Sequence, residues 1–479
     1  MKILFVGSEA IPFISTGGLG DVLGSLPSAI KDNNPDADVR VVLPMHKQIK
    51  EKFASKLKYV GETYIYLSWR CQYCGVFSCE HNGVIYYFID NEYYFNRDSV
   101  YGNYDDAERY GFFGKAVLDI MPIINFYPDI LHTNDWQSAM SVIYLKRKYA
   151  SLDEYKNIKT VYTIHNIDYQ GVFSMDILGD VFGLDSNTDR EIVEYNGCIN
   201  LTKGAIACTD QVSTVSQRYA NEIQTEFYSS GLHHILHTVA DKVCGIVNGI
   251  DVDYYDPKKD SVIVSKFSSD DMSGKAKCKR ELQAISSLPQ NPKIPVISMV
   301  SRLASHKGFD LVKFILPEIL SFGVQFVLLG TGEAEIENYF REIQARYPNQ
   351  VKVFFEFNKD LSKKIYAGSD LFLMPSKSEP CGLAQMISSR YGTVPVVRET
   401  GGLYDTIKPY NKYNGEGNGF TFANYNAHEM KDAIWRAVEL YKNEQKWNEL
   451  VKKIMEIDFS WNVSAEKYVD LYKKLVGEC

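Results

Sequence analysis

Two cationic side chains follow one of the most apolar segments of the chain. Arg302 and Lys307 lie just after Val296–Val300, which is expected to form a strand buried on both faces. An arginine fork and a lysine point charge beyond the carboxyl end of a strand suit a diphosphate. Such a pair also occurs in solvated loops. A glycine turn after the next predicted strand, Gly330-Thr-Gly332, falls at the same sheet edge and favours phosphate binding.

Two further glycine-rich segments would let the backbone approach a ligand closely. Ser15-Thr-Gly-Gly-Leu-Gly-Asp21 follows the first predicted strand and opens a helix, whose N-terminus favours anionic groups. It is not a dinucleotide-binding fingerprint, because Leu23 stands where the third glycine is required. A purely structural turn is the alternative, but the position after the first strand favours ligand contact. The second segment is Thr400-Gly-Gly-Leu403, whose N–H groups could hold leaving-group oxygens.

Three further polar residues are candidate site residues, of which Glu379 and His165, like Arg302 and Lys307, are candidate catalytic groups and Asp135 is a candidate for binding the donor. Glu379 lies in Ser378-Glu-Pro-Cys-Gly-Leu383 before an apparent helix, and its carboxylate could support positive charge developing at a sugar carbon. A helix-capping role for Glu379 is equally consistent with the sequence. His165 and Asp135 each follow a predicted buried strand, which is where α/β sheets bind their ligands.

Two other clusters are better explained by structure than by metal binding. The stretch from Cys71 to His81 is aromatic and strand-rich and has no second cysteine pair, so a zinc knuckle is not expected. Asp251-Val-Asp253 resembles a metal–diphosphate motif, but Asp256-Pro257 close behind it indicates a turn. The sequence therefore predicts neither a metal ion nor any other cofactor.

Parallel strands are needed to bring these loops to one edge. In the first half of the chain, apolar runs alternate with helical patterns, which predicts a doubly wound α/β sheet. Tyr59–Phe95 is different, being rich in aromatic and β-branched residues with a turn at His81-Asn-Gly83, and is expected to form an antiparallel insertion. The buried-strand candidates are Lys2–Val6, Val39–Leu43, Ile130–His132, Thr160–Ile164, Val212–Val215 and Val243–Val247.

A second series of alternating apolar runs and helical patterns follows Asp256–Pro295, a polar segment without periodicity. Two alternations in tandem predict an α/β protein with two Rossmann-like, doubly wound domains facing across a deep cleft. The predicted strands are Val296–Val300, Gln325–Leu329, Val351–Glu356 and Leu371–Met374, and the predicted helices are Leu311–Leu320, Glu333–Arg346, Lys363–Ala367 and Met430–Val438.

Composition narrows the class of protein. A chain of 479 residues with 45% hydrophobic and 23% charged residues can form two or three cores, and is neither disordered nor fibrous. The net charge of −8 argues against a nucleic-acid-binding protein, and no apolar run is long enough to predict a membrane span. Nine cysteines, an odd number, suit a reducing compartment, so a cytoplasmic location is expected.

Together these motifs resemble those of the bacterial and plant glycogen and starch synthases that use ADP-glucose. The resemblance extends from the first strand to Phe459-Ser-Trp461, essentially the whole chain. It rests on the order and spacing of several motifs, each weak alone. These are Thr16-Gly-Gly-Leu19, Asp135-Trp136, His165-Asn166, Asn248-Gly-Ile-Asp251, Ser301-Arg-Leu303 with Lys307-Gly308, Glu379-Pro-Cys-Gly-Leu383 and Thr400-Gly-Gly-Leu403.

The resemblance implies a hexosyltransferase of the glycosyltransferase B architecture. Residues 1–250 would form the catalytic and acceptor domain, residues 251–456 the nucleotide-sugar-binding domain, and residues 457–479 a helix returning to the first domain. It also implies metal-independent transfer of glucose from ADP-glucose to the non-reducing end of an α-1,4-glucan, with retention of configuration. The leaving phosphate would assist the incoming hydroxyl group. The partners would be this donor and a glycogen or starch acceptor, without nucleic acid or membrane.

The resemblance further assigns roles to individual residues. Arg302 and Lys307 would hold the donor diphosphate, and Glu379 would lie beside the glucose. His165, with Asp135 and Asn248, would hold the sugar from the other domain. Phe357, where the family often has tyrosine, would stack on the base. Further donor contacts are expected from Ser15, Gly17, Gly18, Asp21, Gly330, Cys381, Gly382, Leu383, Thr400, Gly401 and Gly402.

The chain departs from the family pattern at four places. Ser15 stands where the family often has lysine, which removes a cation from the donor site. Ser376-Lys-Ser378 replaces a common Ser-Arg-Phe, Asp168 replaces an alanine, and His233-His234 replaces an acidic–small pair. None of these is a residue assigned to the chemistry. They leave open a weakly active or inactive paralogue that binds α-glucan as a scaffold or regulator, or a related transferase using UDP-glucose. A further alternative is a related two-domain transferase with another acceptor, or a phosphorylase, which would need a lysine-bound pyridoxal phosphate.

Overall fold

The chain divides into two compact units. The computed structural model describes residues 1–478, so Cys479, the last residue of the predicted returning segment, lies outside it. The first unit comprises Met1–Asn248 together with the segment from Trp461 onward, and the second comprises Gly249–Ser460. The sequence had predicted divisions after residues 250 and 456.

The first unit is built on a nine-stranded sheet. Its strands lie in the order β12-β11-β7-β6-β1-β2-β5-β4-β3, and every neighbouring pair is parallel except β3–β4 and β4–β5. The strands of this sheet are β1 (Lys2–Val6), β2 (Asp38–Pro44), β3 (Lys58–Leu67), β4 (Arg70–His81), β5 (Val84–Asp90), β6 (Ile130–Asn134), β7 (Lys159–Ile164), β11 (Gln211–Thr214) and β12 (Val243–Gly245). A separate small sheet contains β8 (Val172–Ser174), β9 (Glu194–Tyr195) and β10 (Cys198–Asn200).

The predicted antiparallel insertion is an extension of this main sheet. Strand β5 pairs with β2 in parallel, and the β3–β4–β5 meander continues from it to the sheet edge. Asn82 and Gly83 form the turn between β4 and β5, both with positive φ (48° and 74°), as a two-residue hairpin turn requires. The antiparallel strands were therefore predicted correctly, but not their attachment to the parallel strands.

Helices cover the main sheet, and the last helix of the chain is one of them. Trp461–Val476 packs against α1, and its Tyr468 and Tyr472 are buried in the same core as Phe5. The other helices of the first unit are α1 (Gly18–Asn33), α2 (Lys47–Phe53), α3 (Glu92–Phe95), α4 (Asp106–Asp119), α5 (Trp136–Tyr144), α6 (Ile177–Asp180), α7 (Arg190–Val193), α8 (Leu201–Cys208), α9 (Gln217–Glu222) and α10 (His233–Thr238).

The second unit has a six-stranded, all-parallel sheet. Its order, β15-β14-β13-β16-β17-β18, reverses between β13 and β16, as in Rossmann-like folds. The strands are β13 (Val296–Val300), β14 (Gln325–Leu329), β15 (Val351–Phe354), β16 (Leu371–Met374), β17 (Val394–Arg398) and β18 (Phe420–Phe422). The helices are α11 (Ser273–Ile285), α12 (Phe309–Leu320), α13 (Ala334–Arg346), α14 (Lys359–Gly368), α15 (Ala384–Arg390), α16 (Gly401–Thr406), α17 (Ala427–Tyr441) and α18 (Glu444–Met455).

The segment predicted to be irregular, Asp256–Pro295, contains α11. This helix is polar over most of its surface, and among its buried residues only Cys278 and Leu282 have apolar side chains longer than a methyl group. Lys279 is also buried, and its ammonium group pairs with Asp370 at 2.6 Å. A helix with so few apolar positions gives a weak periodic signal. Over the described part of the chain, no helix is both long and apolar enough to span a membrane.

Candidate active site

A cavity of about 210 Å³ opens where the strand order of the second unit reverses. Its walls include the ends of β13 and β16 and the loops that follow them. The carboxyl ends of the two central strands diverge at such a reversal, and ligands bind there in open α/β sheets. Of the predicted site residues, five line this cavity: Arg302, Lys307, Glu379, Gly382 and Leu383.

A lysine–glutamate pair lies in the cavity wall. The Lys307 ammonium group donates to both carboxylate oxygens of Glu379, at 3.0 and 2.8 Å. The Ser376 hydroxyl donates to Oε2 of the same carboxylate at 2.9 Å. Both carboxylate oxygens are thus held by donors in a buried position, which fixes the side chain in a single orientation. Glu379 is therefore not simply a helix-capping acid.

Arg302 adds an uncompensated positive charge to this cavity. Its side chain is exposed, and it forms no ion pair with any residue between 1 and 478. Lys307 and Glu379 neutralise one another, so the three groups sum to one positive charge. The cavity therefore favours an anion, and the arginine fork is available to bind one bidentately.

Two glycine turns hold the loops of this edge in contact. Gly401 has φ +44°, and a Cβ there would lie 1.9 Å from the Glu379 carbonyl oxygen. The next amide, Gly402 N–H, donates to the carbonyls of Glu379 and Pro380, at 3.1 Å each. At Gly330 a Cβ would lie 1.9 Å from the carbonyl oxygen of Ser301. These glycines pack the loop backbones together, so their first role is to position Glu379 and Arg302.

The other residues predicted for this unit do not line the cavity. Cys381 is buried, and its carbonyl accepts a hydrogen bond from the Gln385 amide at 3.1 Å. Thr400 is buried at the start of α16. Phe357 follows β15 and is 86% exposed, so its ring is accessible to a stacking partner.

In the first unit, His165 and Asp135 form a contact at the corresponding reversal. This sheet reverses between β1 and β6, and Asp135 directly follows β6 with φ +55°. Its Oδ1 accepts the backbone N–H of His165 at 2.8 Å. Burial raises the pKa of Asp135 to about 7, despite the backbone N–H groups of His165 and Asn166 that favour its charged form. Burial lowers the pKa of His165 to about 3, so the imidazole is neutral at physiological pH.

The glycine loop of the first unit is anchored by a residue that the sequence analysis missed. Glu9 is buried, and its carboxylate accepts the backbone N–H groups of Thr16 and Gly17 and the Thr16 hydroxyl. The Tyr101 hydroxyl also donates to Glu9, at 2.7 Å. The Gly17 N–H is therefore directed at Glu9. A Cβ at Gly17 or Gly18 would meet nothing within 4 Å, so both positions are open to a ligand.

The other predicted side chains of the first unit are Ser15, Asp21 and Asn248. Ser15 is exposed, and its hydroxyl donates only weakly, to the Gly17 carbonyl at 3.3 Å. Asp21 is in the first turn of α1. Asn248 is buried, and its Oδ1 has no hydrogen-bond partner among the described residues. No described hydrogen bond joins Asn248 to His165 or Asp135.

Three residues of the two sites were not predicted as functional: Glu9, Asn134 and Ser376. Glu9 and Asn134 act on residues that the fold brings to them, whereas Ser376 contacts Glu379 three residues along the chain. A usable signal was nonetheless present, since Glu9 and Asn134 are polar residues at the ends of buried strands. Within the part of the chain that the structure describes, no group of three or more His, Cys, Asp or Glu side chains could hold a metal ion. The Cys71–His81 stretch lies in β4.

Fold and site together define a glycosyltransferase, and comparison with known proteins gives the family. Residues 2–238 match the model of the starch synthase catalytic domain, and residues 281–454 match that of glycosyl transferases group 1. Glycogen synthase of Anoxybacillus flavithermus is 46% identical over 100% of this chain and 98% of its own length. Glycogen synthase of Clostridioides difficile is also 46% identical, over 99% and 100%. The chain belongs to the glycogen and starch synthase family.

Solved structures agree with this assignment. The catalytic domain of starch synthase IV from Arabidopsis thaliana, bound to ADP and acarbose, superposes with a TM-score of 0.89 at 32% identity, covering 99% of both chains. Sucrose-phosphate synthase from Thermosynechococcus elongatus superposes with a TM-score of 0.60 at 14% identity, covering 100% of both chains, which shows a shared fold alone. The predicted family, α/β fold class and hexosyltransferase activity are thereby confirmed.

Proposed function

We propose that this chain transfers glucose from ADP-glucose to the non-reducing end of an α-1,4-glucan, with retention of configuration. The observation that carries the proposal is the cavity at the strand reversal of the second unit, where Arg302 and the Lys307–Glu379 pair create a net positive, rigidly held anion site. Support for the substrates comes from relatives described as glycogen synthases and from a starch synthase structure bound to ADP and acarbose.

The chemistry required of the site is electrostatic. As the glucosyl–phosphate bond breaks, negative charge builds on the leaving diphosphate, and Arg302 and Lys307 are the groups that stabilise it. A lysine ammonium group has three N–H donors, so Lys307 retains donor capacity beyond Glu379. Glu379, held in one orientation by these donors, supports the positive charge that develops at the sugar carbon. We propose that these side chains replace a metal ion, so that transfer requires none.

A donor-competition assay tests the proposal. Purified protein is given a glycogen primer and labelled glucose on either ADP or UDP, with and without a chelator. We expect label in glycogen, a preference for ADP-glucose and no effect of the chelator. Absence of transfer from both donors would reject a synthase, a preference for UDP-glucose would reject the assigned donor, and loss of activity with the chelator would reject metal independence.

One observation favours a second candidate, a weakly active or inactive paralogue that binds α-glucan as a scaffold or regulator. Ser15 is exposed in the glycine loop and supplies no charge where the family often has lysine. The intact groups of both sites oppose this reading. Comparing wild type with Ser15→Lys separates the two functions. A rate that rises from near zero would indicate a decayed enzyme, whereas a small change from an active wild type indicates a working one.

The proposal includes a cytoplasmic location. Eight of the nine cysteines lie in the described residues, and all eight are free thiols, as a reducing compartment favours. Oxidation of the purified protein gives a check, since non-native disulfides formed by an oxidant should lower activity and a reductant should restore it. The partners we propose are the nucleotide-sugar donor and a glycogen or starch acceptor.

A further inference from the structure

Asn134 has a side-chain amide whose orientation is fixed by its surroundings. It is the last residue of β6 and is 1% exposed. The Nδ2 amide group donates to the carbonyl of Val6 on β1 at 3.1 Å, and lies 3.4 Å from the carbonyl of His132. The reverse orientation would place the amide oxygen against these two carbonyl oxygens, with no donor between them. Oδ1 is therefore the atom that faces His165.

This orientation determines the tautomer of His165. Nε2 of the imidazole lies 2.9 Å from Oδ1 of Asn134. A carbonyl-type oxygen can only accept, so Nε2 must carry the proton and donate it. A neutral imidazole has a single N–H group, so Nδ1 has a lone pair and no proton.

The electrostatic surroundings keep this imidazole neutral. Burial lowers the pKa of His165 to about 3. The charged or titratable groups that face it are Asp135, which holds its backbone N–H, and His132, whose own pKa falls to about 3 through burial and proximity to His165. Glu9 acts one step away, by raising the pKa of Asp135. None of these groups donates a hydrogen bond to Nδ1, and no other described residue does.

Resting on the proposed function, we propose that Asn134 is a positioning residue that locks His165 as the Nε2–H tautomer, so that Nδ1 accepts a hydrogen bond from a hydroxyl group of the bound sugar. Asn134 then acts on the substrate through His165 without touching it. The inference also fixes the direction of this hydrogen bond, in which the sugar hydroxyl group is the donor and Nδ1 the acceptor. A sugar analogue that can only accept at that position, such as a fluorodeoxyglucose, would lose the contact.

The first test is the pH dependence of Asn134→Asp. A carboxylate can still accept from Nε2, but its charge stabilises the imidazolium and raises the pKa of His165. Once protonated, Nδ1 becomes a donor and can no longer accept from the sugar. We expect the ratio of variant to wild-type kcat/KM for ADP-glucose to fall about tenfold between pH 8 and pH 6. Taking the ratio cancels the effect of Asp135 ionisation on activity, because both proteins contain Asp135.

A matched control is Asn91→Asp. Asn91 is also a buried asparagine: its Oδ1 accepts the Tyr94 backbone N–H, and its Nδ2 donates to the Tyr73 carbonyl. This substitution adds the same charge to the same unit without contacting His165. Its activity ratio should be independent of pH. A flat ratio for Asn134→Asp, or an equal fall for Asn91→Asp, would overturn the proposal.

The second test needs no activity. Nitrogen NMR of the full-length chain labelled in histidine distinguishes the protonated ring nitrogen, and His165 is assigned by the signals missing from His165→Gln. The wild type should be protonated at Nε2, and Asn134→Leu should shift His165 toward a mixture of tautomers. A proton on Nδ1 in the wild type would overturn the inference even if Asn134→Asp failed to fold. Absence of glucose transfer by the wild type would instead reject the proposed function and leave this result standing.

Discussion

At the scale of single residues, the net charge of the donor site depends on the ion pair between Lys307 and Glu379. Each is held by the other, and Ser376 adds a further hydrogen bond to the carboxylate. Glu379 keeps the ammonium group aligned before a donor arrives, so little reorganisation is needed when the diphosphate binds. The pair therefore acts as one preorganised unit, with Arg302 as the free charge.

The first prediction concerns this pair. Lys307→Met should lower kcat by about 10²–10³, which is the usual cost of removing one preorganised electrostatic donor. Glu379→Gln should lower it as well, because the lysine loses its alignment along with its counterion. The double variant should be far less than additive, because each single variant already breaks the unit. Steady-state kinetics of the four proteins with ADP-glucose measure the coupling.

Lys313→Met serves as the control for lost charge. Lys313 pairs with Glu335 at 2.5 Å on the exposed surface of α12 and α13, where a single ion pair contributes little. Its kcat should be close to that of the wild type. Additive effects of the Lys307 and Glu379 variants would show that the two residues act separately.

The residues of this pair were predicted because each lies in a loop next to a recognisable strand or helix. The carboxylate of Glu9 was not, because its partners Thr16 and Tyr101 are brought to it by the folded chain. The same holds for Asn134, whose amide group contacts Val6 on β1 and His165 just after β7, both distant from it in sequence. The sequence thus predicts residues that contact a ligand directly, but not the buried residues that position them through hydrogen bonds.

At the scale of elements, the glycines of the strand-end loops have two different functions. Gly330 is required by the protein itself, because a Cβ would collide with the Ser301 carbonyl. Gly17 has no such neighbour, and its φ of −160° is open to any residue. A glycine that the protein does not require is explained by the approach of a ligand.

The second prediction compares these two glycines. Gly330→Ala should lower the melting temperature of the protein, because two backbone segments must separate to admit the methyl group. Gly17→Ala should leave the melting temperature unchanged or slightly higher, since alanine restricts the unfolded chain. It should nonetheless raise the KM for ADP-glucose several-fold. Thermal melts and donor titrations of both variants decide the matter, and an unchanged KM for Gly17→Ala would exclude close ligand approach at this loop.

Element prediction succeeded where burial leaves a clear pattern. Continuous apolar runs gave β13, β14 and β16 with their observed bounds. Strand β17 was missed because Pro395, its second residue, argues against a central strand, although β17 pairs on both sides. Strand β18 has three residues, too few for a pattern to appear.

At the scale of the whole molecule, both units accumulate polar groups at the reversal of their strand order. In the first unit this edge includes three histidines: His46 and His132, which are buried, and His165, which is partly buried. Burial lowers the pKa of each to about 3. Burial raises the pKa of Asp135 to about 7 at the same edge. The stability of the first unit is therefore linked to pH.

The third prediction follows from the sign of these shifts. Between about pH 4.5 and 6, the unfolded chain protonates all three histidines and the folded chain does not, whereas Asp135 binds its proton only in the folded state. Unfolding then takes up two protons net, three minus one. The free energy of unfolding should fall by about 3 kcal/mol for each pH unit of acidification in this window. The histidine contribution is fully present above about pH 6.5.

Two substitutions should change this slope in opposite directions. His132→Gln removes one histidine proton and should halve the slope, since only one net proton remains. Asp135→Asn removes the opposing group and should steepen the slope by about half, since three protons then remain. Urea unfolding at several pH values, followed by pulse labelling and mass spectrometry of peptides from β6 and β7, reports the first unit specifically. Parallel slopes for all three proteins would mean that these buried groups do not control acid stability. A shallower slope for His132→Gln together with a steeper slope for Asp135→Asn would identify these buried groups of the first unit as the source of the pH dependence.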